Sequence, residues 1–412
     1  MSTAPLDLDL LRTPCDQRPL HDVPPPAQPA TDLRALADRI AEVLAMPALA
    51  MPVLVAPAVA VPALAAPVLV APAVAVPAVA VPAVDGPPAS HGTDGEIRWV
   101  GDPGAARYPV IAGVPLLMLD YAHDAVGPLG VSCGISPREL DHYTAVGLRE
   151  AADASHSDAL RELWALRARV SSGQGARDAD VLDEKWVDAT YDGPAQLRCY
   201  SHLREPLRGG TAVQVGGGGK HALKFLLAGA ARAVVVAPIV GELVFAIVCA
   251  RRLGLADRLV AVAGTGEALP LATGRVDALY CGGTLHHMDT ACAGRELARV
   301  LSPHGRFAAA EPWKVPLLHH AGTRLLGKRE PVPCRPIDRP RLAALRQGFR
   351  APVDDRRHGA FTRYPALALG KAGVHPPAAA LQRLMLCEDD LRLPGSALGS
   401  SLSVTGGPIP AR

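Results

Sequence analysis

The 412-residue chain has little net charge: 42 lysines and arginines against 40 aspartates and glutamates leave +2. That balance removes the electrostatic case for a nucleic-acid partner. Its eight cysteines include no Cys-x-x-Cys pair, which argues against a zinc site or a disulfide framework and fits reduced thiols in a cytoplasm. No basic stretch followed by an apolar core opens the sequence, so no secretory signal is expected. Residues 46–84 lack charge altogether and place proline at 47, 52, 57, 62, 67, 72, 77 and 82. Each proline costs a helix about 3 kcal/mol and removes a donor that lipid cannot replace, so this pentapeptide tract reads as an extended low-complexity linker and not as a membrane span. Before it, residues 1–45 read as a mostly disordered segment, proline-rich over 1–30, with one capped helix, Thr31 to Leu44, carrying Leu33, Leu36, Ile40, Val43 and Leu44 on one face.

What the sequence does contain is concentrated in residues 206–313. Ala212 to Val215 reads as a strand running into Gly216-Gly217-Gly218-Gly219, with a helix from His221 to Leu227. Glycine permits positive φ and close backbone approach, and a helix start behind it presents unpaired N–H groups, so this is a ligand-binding turn. Ala233 to Val236, Leu259 to Ala263, Val276 to Tyr280 and Arg306 to Ala310 read as further strands, with Glu242 to Leu253 as a crossover helix. Continuous apolar strands without polar alternation predict a parallel sheet covered on both faces, with ligands beyond the strands' carboxyl ends.

The runs Gly264-Thr265-Gly266-Glu267-Ala268-Leu269-Pro270-Leu271, Arg275-Val276-Asp277-Ala278-Leu279, Thr284-Leu285-His286-His287-Met288 and Glu296-Leu297-Ala298-Arg299-Val300-Leu301-Ser302-Pro303-His304-Gly305-Arg306-Phe307 resemble, in order and spacing, the class I S-adenosylmethionine-dependent methyltransferases. The resemblance covers about a quarter of the chain and implies an α/β fold, a Rossmann-like doubly wound, mostly parallel sheet. It further implies S-adenosylmethionine as cofactor, with its amino-acid end at Gly216, Gly217 and Gly218 and its ribose at the end of the second strand, around Pro238. Glu267 and Ala268 would lie near the adenine, and Cys281 and Gly282 would border the methyl group.

Three positions depart from the family pattern. Gln214 stands where an acid is usual, Lys220 where a glycine is usual, and Val236-Ala237-Pro238 where an Asp or Glu would hold the ribose. Glu242, a few residues on, either substitutes for that acid or stabilises its own helix start. A dinucleotide site is the rival reading of the glycines, but its third glycine and its later acid are missing. His286 and His287 are weak candidates for a general base, since an imidazole accepts a proton at neutral pH; they read equally as ordinary helix-start residues.

Around this core, residues 95–125 read as a small β unit of two strands, Glu96 to Val100 and Tyr108 to Leu117. It resembles the zinc-ribbon-like domain of the tRNA-methyltransferase activator family, without its cysteines. Residues 137–205 form a helical lid or linker region, including a helix from Glu184 to Leu203 and Tyr191 as a lid candidate. Residues 314–412 are the substrate-selecting part, with Arg346, Arg350, Arg356, Arg357 and Arg363 available to an anion, a helix at Leu381 to Leu386 and a closing edge strand at Leu402 to Val404. His319 and His320, adjacent, cannot easily share a metal, and no metal is expected. The expected function is methyl transfer to a small molecule, with no nucleic acid and no membrane as partner; the alternative is a degenerate, non-catalytic module that keeps the fold.

Overall fold

The computed structural model describes residues 10–12, 21–22, 31–46, 97–101, 107–118, 135–171, 181–184, 186, 189, 192–315, 335–391 and 398–407. The linker tract, Tyr191 and the His319-His320 pair lie outside them. Strand β1 (His21–Asp22) and helix α1 (Thr31–Ala45) precede β2 (Ile97–Gly101), β3 (Arg107–Ile111) and β4 (Val114–Pro115). The strand expected from Tyr108 to Leu117 is thus a hairpin. Ala112 and Gly113 both take positive φ, 50° and 83°, which is the backbone a two-residue hairpin turn demands. This four-stranded unit docks on the larger sheet through a parallel bridge of Leu116 with Ala263, in which the Leu117 N–H donates to the Ala263 carbonyl at 2.8 Å.

Helices α2 (Pro137–Ala152) and α3 (Asp158–Ser171) follow, then α4 (Gly193–Leu207). The helix expected from Glu184 starts later, because Gly193-Pro194 is the true start signal: proline at the first turn lacks only a hydrogen that would have no partner. The core then runs β5 (Thr211–Val215), α5 (Lys220–Leu227), β6 (Arg232–Ala237), α6 (Val240–Leu253), β7 (Leu259–Ala263), β8 (Val276–Gly282), α7 (Thr290–Val300) and β9 (Leu301–Pro312). It closes with α8 (Arg339–Gln347), β10 (Val353–His358), α9 (Arg363–Lys371), α10 (Ala378–Leu391) and β11 (Ser401–Gly406).

The seven strands are ordered β10-β11-β9-β8-β5-β6-β7, and only β11 runs against the rest. The fold is therefore the Rossmann-like, doubly wound, mostly parallel sheet. Successive strand residues feed opposite cores: Val213, Val234, Val262 and Leu279 pack under α7 and α8, while Ala212, Val235, Ala261 and Tyr280 pack under α2 to α6. Because both faces are buried, the central strands read as mainly apolar runs, with Gln214 in β5 and Asp277 in β8 as the exceptions.

The C-terminal strand is not an edge. β11 lies between β9 and β10, and the edge is Val353–His358, whose Asp-Asp-Arg-Arg sequence disguised it. Charged side chains are what an exposed edge carries to resist pairing with another chain. Three of the arginines offered to an anion are spent there: Arg346 and Arg357 pair with Asp355, and Arg356 with Asp389.

Candidate functional site

The chain winds outward from β5 to β6 and β7, then returns to place β8 on the other side of β5. Two crossovers leaving in opposite directions open a crevice at the strands' carboxyl ends, where open α/β sheets bind ligands. A cavity of about 530 Å³ lies there, lined by Gln214, Gly217, Gly218, Lys220, His221, Glu242, Phe245 and Gly282 from the core, and walled by α2 and α3 through Glu150, Asp153, His156 and Asp158. The size suits a small molecule or cofactor.

The glycine loop is held by the residue that departs from the family pattern. The Gln214 side-chain oxygen accepts from the Ala222 N–H at 2.8 Å, and its amide nitrogen donates to the Gly216 carbonyl at 2.7 Å. An acid could make the first bond but not the second, so the amide both caps α5 and staples the loop. Replacing Gln214 with leucine is expected to cost about 2 kcal/mol, with Gln214→Glu losing less because it keeps the Ala222 bond; urea denaturation of the two variants checks this. Gly216 is required by packing. At φ 82°, a Cβ on it would lie 2.2 Å from the methyl of Thr284, whose hydroxyl donates to the Val215 carbonyl at 3.0 Å.

Glu242 enters the cavity from the first turn of α6. Its pKa is pushed up from 4.5 to about 7, by burial first and by Glu150 second. Nothing among the described residues hydrogen-bonds its carboxylate. The two acids are close because α2 crosses α6 at paired glycines. A Cβ on Gly241 would stand 2.2 Å from the Thr144 carbonyl, and one on Gly147 2.5 Å from the Gly241 carbonyl carbon. Sequence reading could not see this crossing, since nothing local links residues 147 and 241.

Other expected site residues lie away from the cavity. Gly216 and Pro238 are outside its lining, and Cys281 is fully buried with its thiol pushed up by burial. Glu267 accepts from the Asp289 N–H at 2.9 Å and so anchors the start of α7, with Ala268 buried beside it. His286 is tied by its Nδ1 to Glu311 at 2.9 Å, and Glu311 also accepts from the N–H groups of Thr284 and Leu285 at 2.8 Å each. That carboxylate caps the short turn of Leu285–His287 from below, a structural use of the pair of histidines, and neither ring lines the cavity.

A second constellation has the outline of a hydrolase triad: His358 Nδ1 lies 2.5 Å from Asp389, and Nε2 lies 2.8 Å from the Ser403 hydroxyl. Ser403 has no exposed surface and Arg198 also donates to it at 3.2 Å. The three residues bind β10, β11 and α10 together. Among the described residues no group of three His, Cys, Asp or Glu could hold a metal ion, and no helix is long and apolar enough to cross a membrane.

Residues 213–309 match the family described as "Methyltransferase domain". No curated protein matches the chain. Among solved structures, the chain is similar to geranyl diphosphate C-methyltransferase from Streptomyces coelicolor A3(2), at 15% identity over 54% of this chain and 84% of that one, TM-score 0.38. It is similar to the YcgJ protein from Bacillus, at 20% identity over 52% of this chain and 100% of that one, TM-score 0.36. It is also similar to the SpnF cyclase, at 21% identity over 64% and 96%, TM-score 0.37. The fold assignment rests on the strand order and the family match and takes nothing from these distant likenesses. The stretch that matches the methyltransferase-domain family, residues 213–309, carries its glycine loop at the switch point of a Rossmann-like, doubly wound sheet.

Proposed function

We propose that this chain binds S-adenosylmethionine in the cavity beyond β5, β6 and β8 and transfers its methyl group to a small-molecule acceptor. The observation that carries the reading is Glu242, a carboxylate with no hydrogen-bond partner among the described residues, at the carboxyl end of β6 beside an open glycine loop. It stands where a ribose needs an acceptor for two hydroxyls, although the strand itself ends in Ala237-Pro238. The residues fit the group in charge as well. Glu150, Asp153, Asp158 and Glu242 give the cavity four carboxylates, against Lys220 as a cation, and the cofactor carries positive charge at its sulfonium and its ammonium.

Gln214, Gly217 and Gly218 would hold the amino-acid end of the cofactor, Glu242 its ribose, and Gly282 would border the reacting methyl. Gly216, Pro238, Glu267, Ala268 and Cys281 would serve by shaping the loops that carry these contacts. The bound cofactor supplies an activated methyl on a positive sulfur, so the chain's own contribution is binding, orientation and exclusion of water. No protein base is required for that.

The second reading, a non-catalytic module that keeps the fold, draws support from the end of β6, where Val236-Ala237-Pro238 offers no acid to a ribose. Thermal unfolding with and without S-adenosylhomocysteine tests the proposal. A ligand at 100 times its Kd stabilises by about 2.7 kcal/mol, so a rise of several degrees is expected, with none for NADH. No rise for either compound would count against the enzyme and for the module.

A further inference from the structure

One imidazole on the cavity is not engaged on the side that faces it. His221, at the start of α5, is buried, and both contacts to its ring nitrogens fall on Nδ1: the Trp186 indole N–H at 3.1 Å and the Tyr200 hydroxyl at 2.7 Å. An indole N–H only donates, so Nδ1 is the acceptor and the ring's proton sits on Nε2. The ring is kept neutral by burial first, and by Lys220 and Lys224 second. Lys224 is itself fully buried, its Nζ donating to the Glu184 carbonyl and lying 5.1 and 5.0 Å from the Trp186 and Tyr200 rings. The box fixes the imidazole's orientation and tautomer together. Nε2 has no hydrogen-bond partner among the described residues, and His221 lines the cavity.

A second polar atom meets the same place. The Tyr280 hydroxyl, on β8, is fully buried and has no hydrogen-bond partner among the described residues. Gly282, which lines the cavity at the end of β8, is the neighbour of both: a Cβ built on it would be 3.1 Å from the Tyr280 hydroxyl, 2.8 Å from that ring and 3.3 Å from His221 Nε2. Only a residue without a side chain lets the two groups approach the strand end. A buried hydroxyl left unpaired costs roughly 1–3 kcal/mol, a cost that a ligand oxygen can repay.

We infer that His221 Nε2–H, seconded by the Tyr280 hydroxyl, is a donor pair that binds an oxygen of the methyl acceptor. The inference rests on the proposed function above, since it places the acceptor at the β8 end of a cavity whose β6 end takes the ribose. The acceptor class is then an oxygen-bearing molecule, such as a carboxylate, phenolate or enolate. A simple amine, which would need an acceptor for its own hydrogens, does not fit this pair. His221 acts as a fixed donor and takes no proton, because its only lone pair is committed to Trp186 and Tyr200.

The test uses the full chain labelled with ¹⁵N-histidine and saturated with S-adenosylhomocysteine, with acetate and methylammonium as probes. The expected results are an Nε2–H tautomer at His221, an Nε2 resonance that moves saturably with acetate and stays with methylammonium, and an acetate affinity about tenfold weaker in Tyr280→Phe. That substitution deletes only an unpartnered hydroxyl, so the variant should fold, and its affinity for S-adenosylhomocysteine should stay within twofold of the parent. An Nδ1–H tautomer, an unmoved resonance, or an equal response to methylammonium would overturn the inference. Acetate binding alongside 5′-methylthioadenosine but not alongside S-adenosylhomocysteine would overturn it too, by showing that the pair takes the cofactor's own carboxylate. Failure of S-adenosylhomocysteine to bind at all is a different result, because it removes the proposed function itself.

Discussion

Gly241→Ala should destabilise the protein by about 3 kcal/mol or more, although alanine is the better helix former. The reason is the crossing of α2 over α6. The added carbon would meet only backbone: the Thr144 carbonyl at 2.2 Å, the Leu148 nitrogen at 2.9 Å and the Gly147 Cα at 3.0 Å. A flexible side chain could swing away from such a contact, but two packed helices can relieve it only by separating. Gly147 makes the same point from the other helix. It sits inside α2 at a cost of about 1 kcal/mol relative to alanine, and a Cβ there would strike Gly241 and Glu242. Urea denaturation measures the loss, with Gly407→Ala as a control expected to be near neutral, since a Cβ at Gly407 meets nothing within 4 Å. Separation of the helices should also move Glu150 away from Glu242 and return the Glu242 acidity toward its ordinary value.

Glu242→Gln should weaken S-adenosylhomocysteine binding by tenfold or more at pH 8, the equivalent of roughly 1.5–3 kcal/mol for a hydrogen bond to a charged group. The same change should make the protein more stable at that pH. Burial and Glu150 raise the folded-state value from the ordinary 4.5 to about 7. A group raised in this way contributes stability that is fully present below about 4.5 and is lost as pH rises through about 7, where the native state must hold a carboxylate it disfavours. Glutamine carries no such penalty, so the gain in melting temperature should be largest at pH 8 and vanish near pH 4. Ligand affinity runs the other way. The ionised carboxylate is the better acceptor for hydroxyls, so affinity in the parent should rise with pH through about 7 and lose that dependence in Glu242→Gln. A site that costs stability in order to bind is common in proteins. Calorimetry at four pH values, with thermal unfolding of both proteins, checks the pair of trends.

The core was legible because its cues are local. Val213, Val235, Leu259 and Leu279 sit in mainly apolar runs, and Gly216 to Gly219 follow the first of them, so strand, turn and helix announce themselves within twenty residues. The site's second half was not legible, for reasons of distance along the chain. Glu150 reaches the cavity only through the crossing at Gly147 and Gly241, and Trp186 reaches His221 from ahead of α4, 35 residues away along the chain. His221 carried a signal that could have been taken up, a histidine at the second position of a helix behind a glycine loop. His286 and His287 drew attention as imidazoles that follow the fourth strand, yet Glu311 claims His286 from the end of β9. Gln214 stood out as a departure from the usual acid and is, in structure, a doubled hold on the loop. β10 was missed because an edge strand hides its identity behind charge.

The most direct measurement is calorimetric titration of the full chain with S-adenosylhomocysteine at pH 8, in parallel with the Glu242→Gln variant and with NADH as a control. The expected result is saturable one-to-one binding to the parent, at least tenfold weaker binding to the variant, and no heat from NADH. A parent chain shown to be folded that gives no heat with S-adenosylhomocysteine, or binds it equally well without the Glu242 carboxylate, would contradict the account.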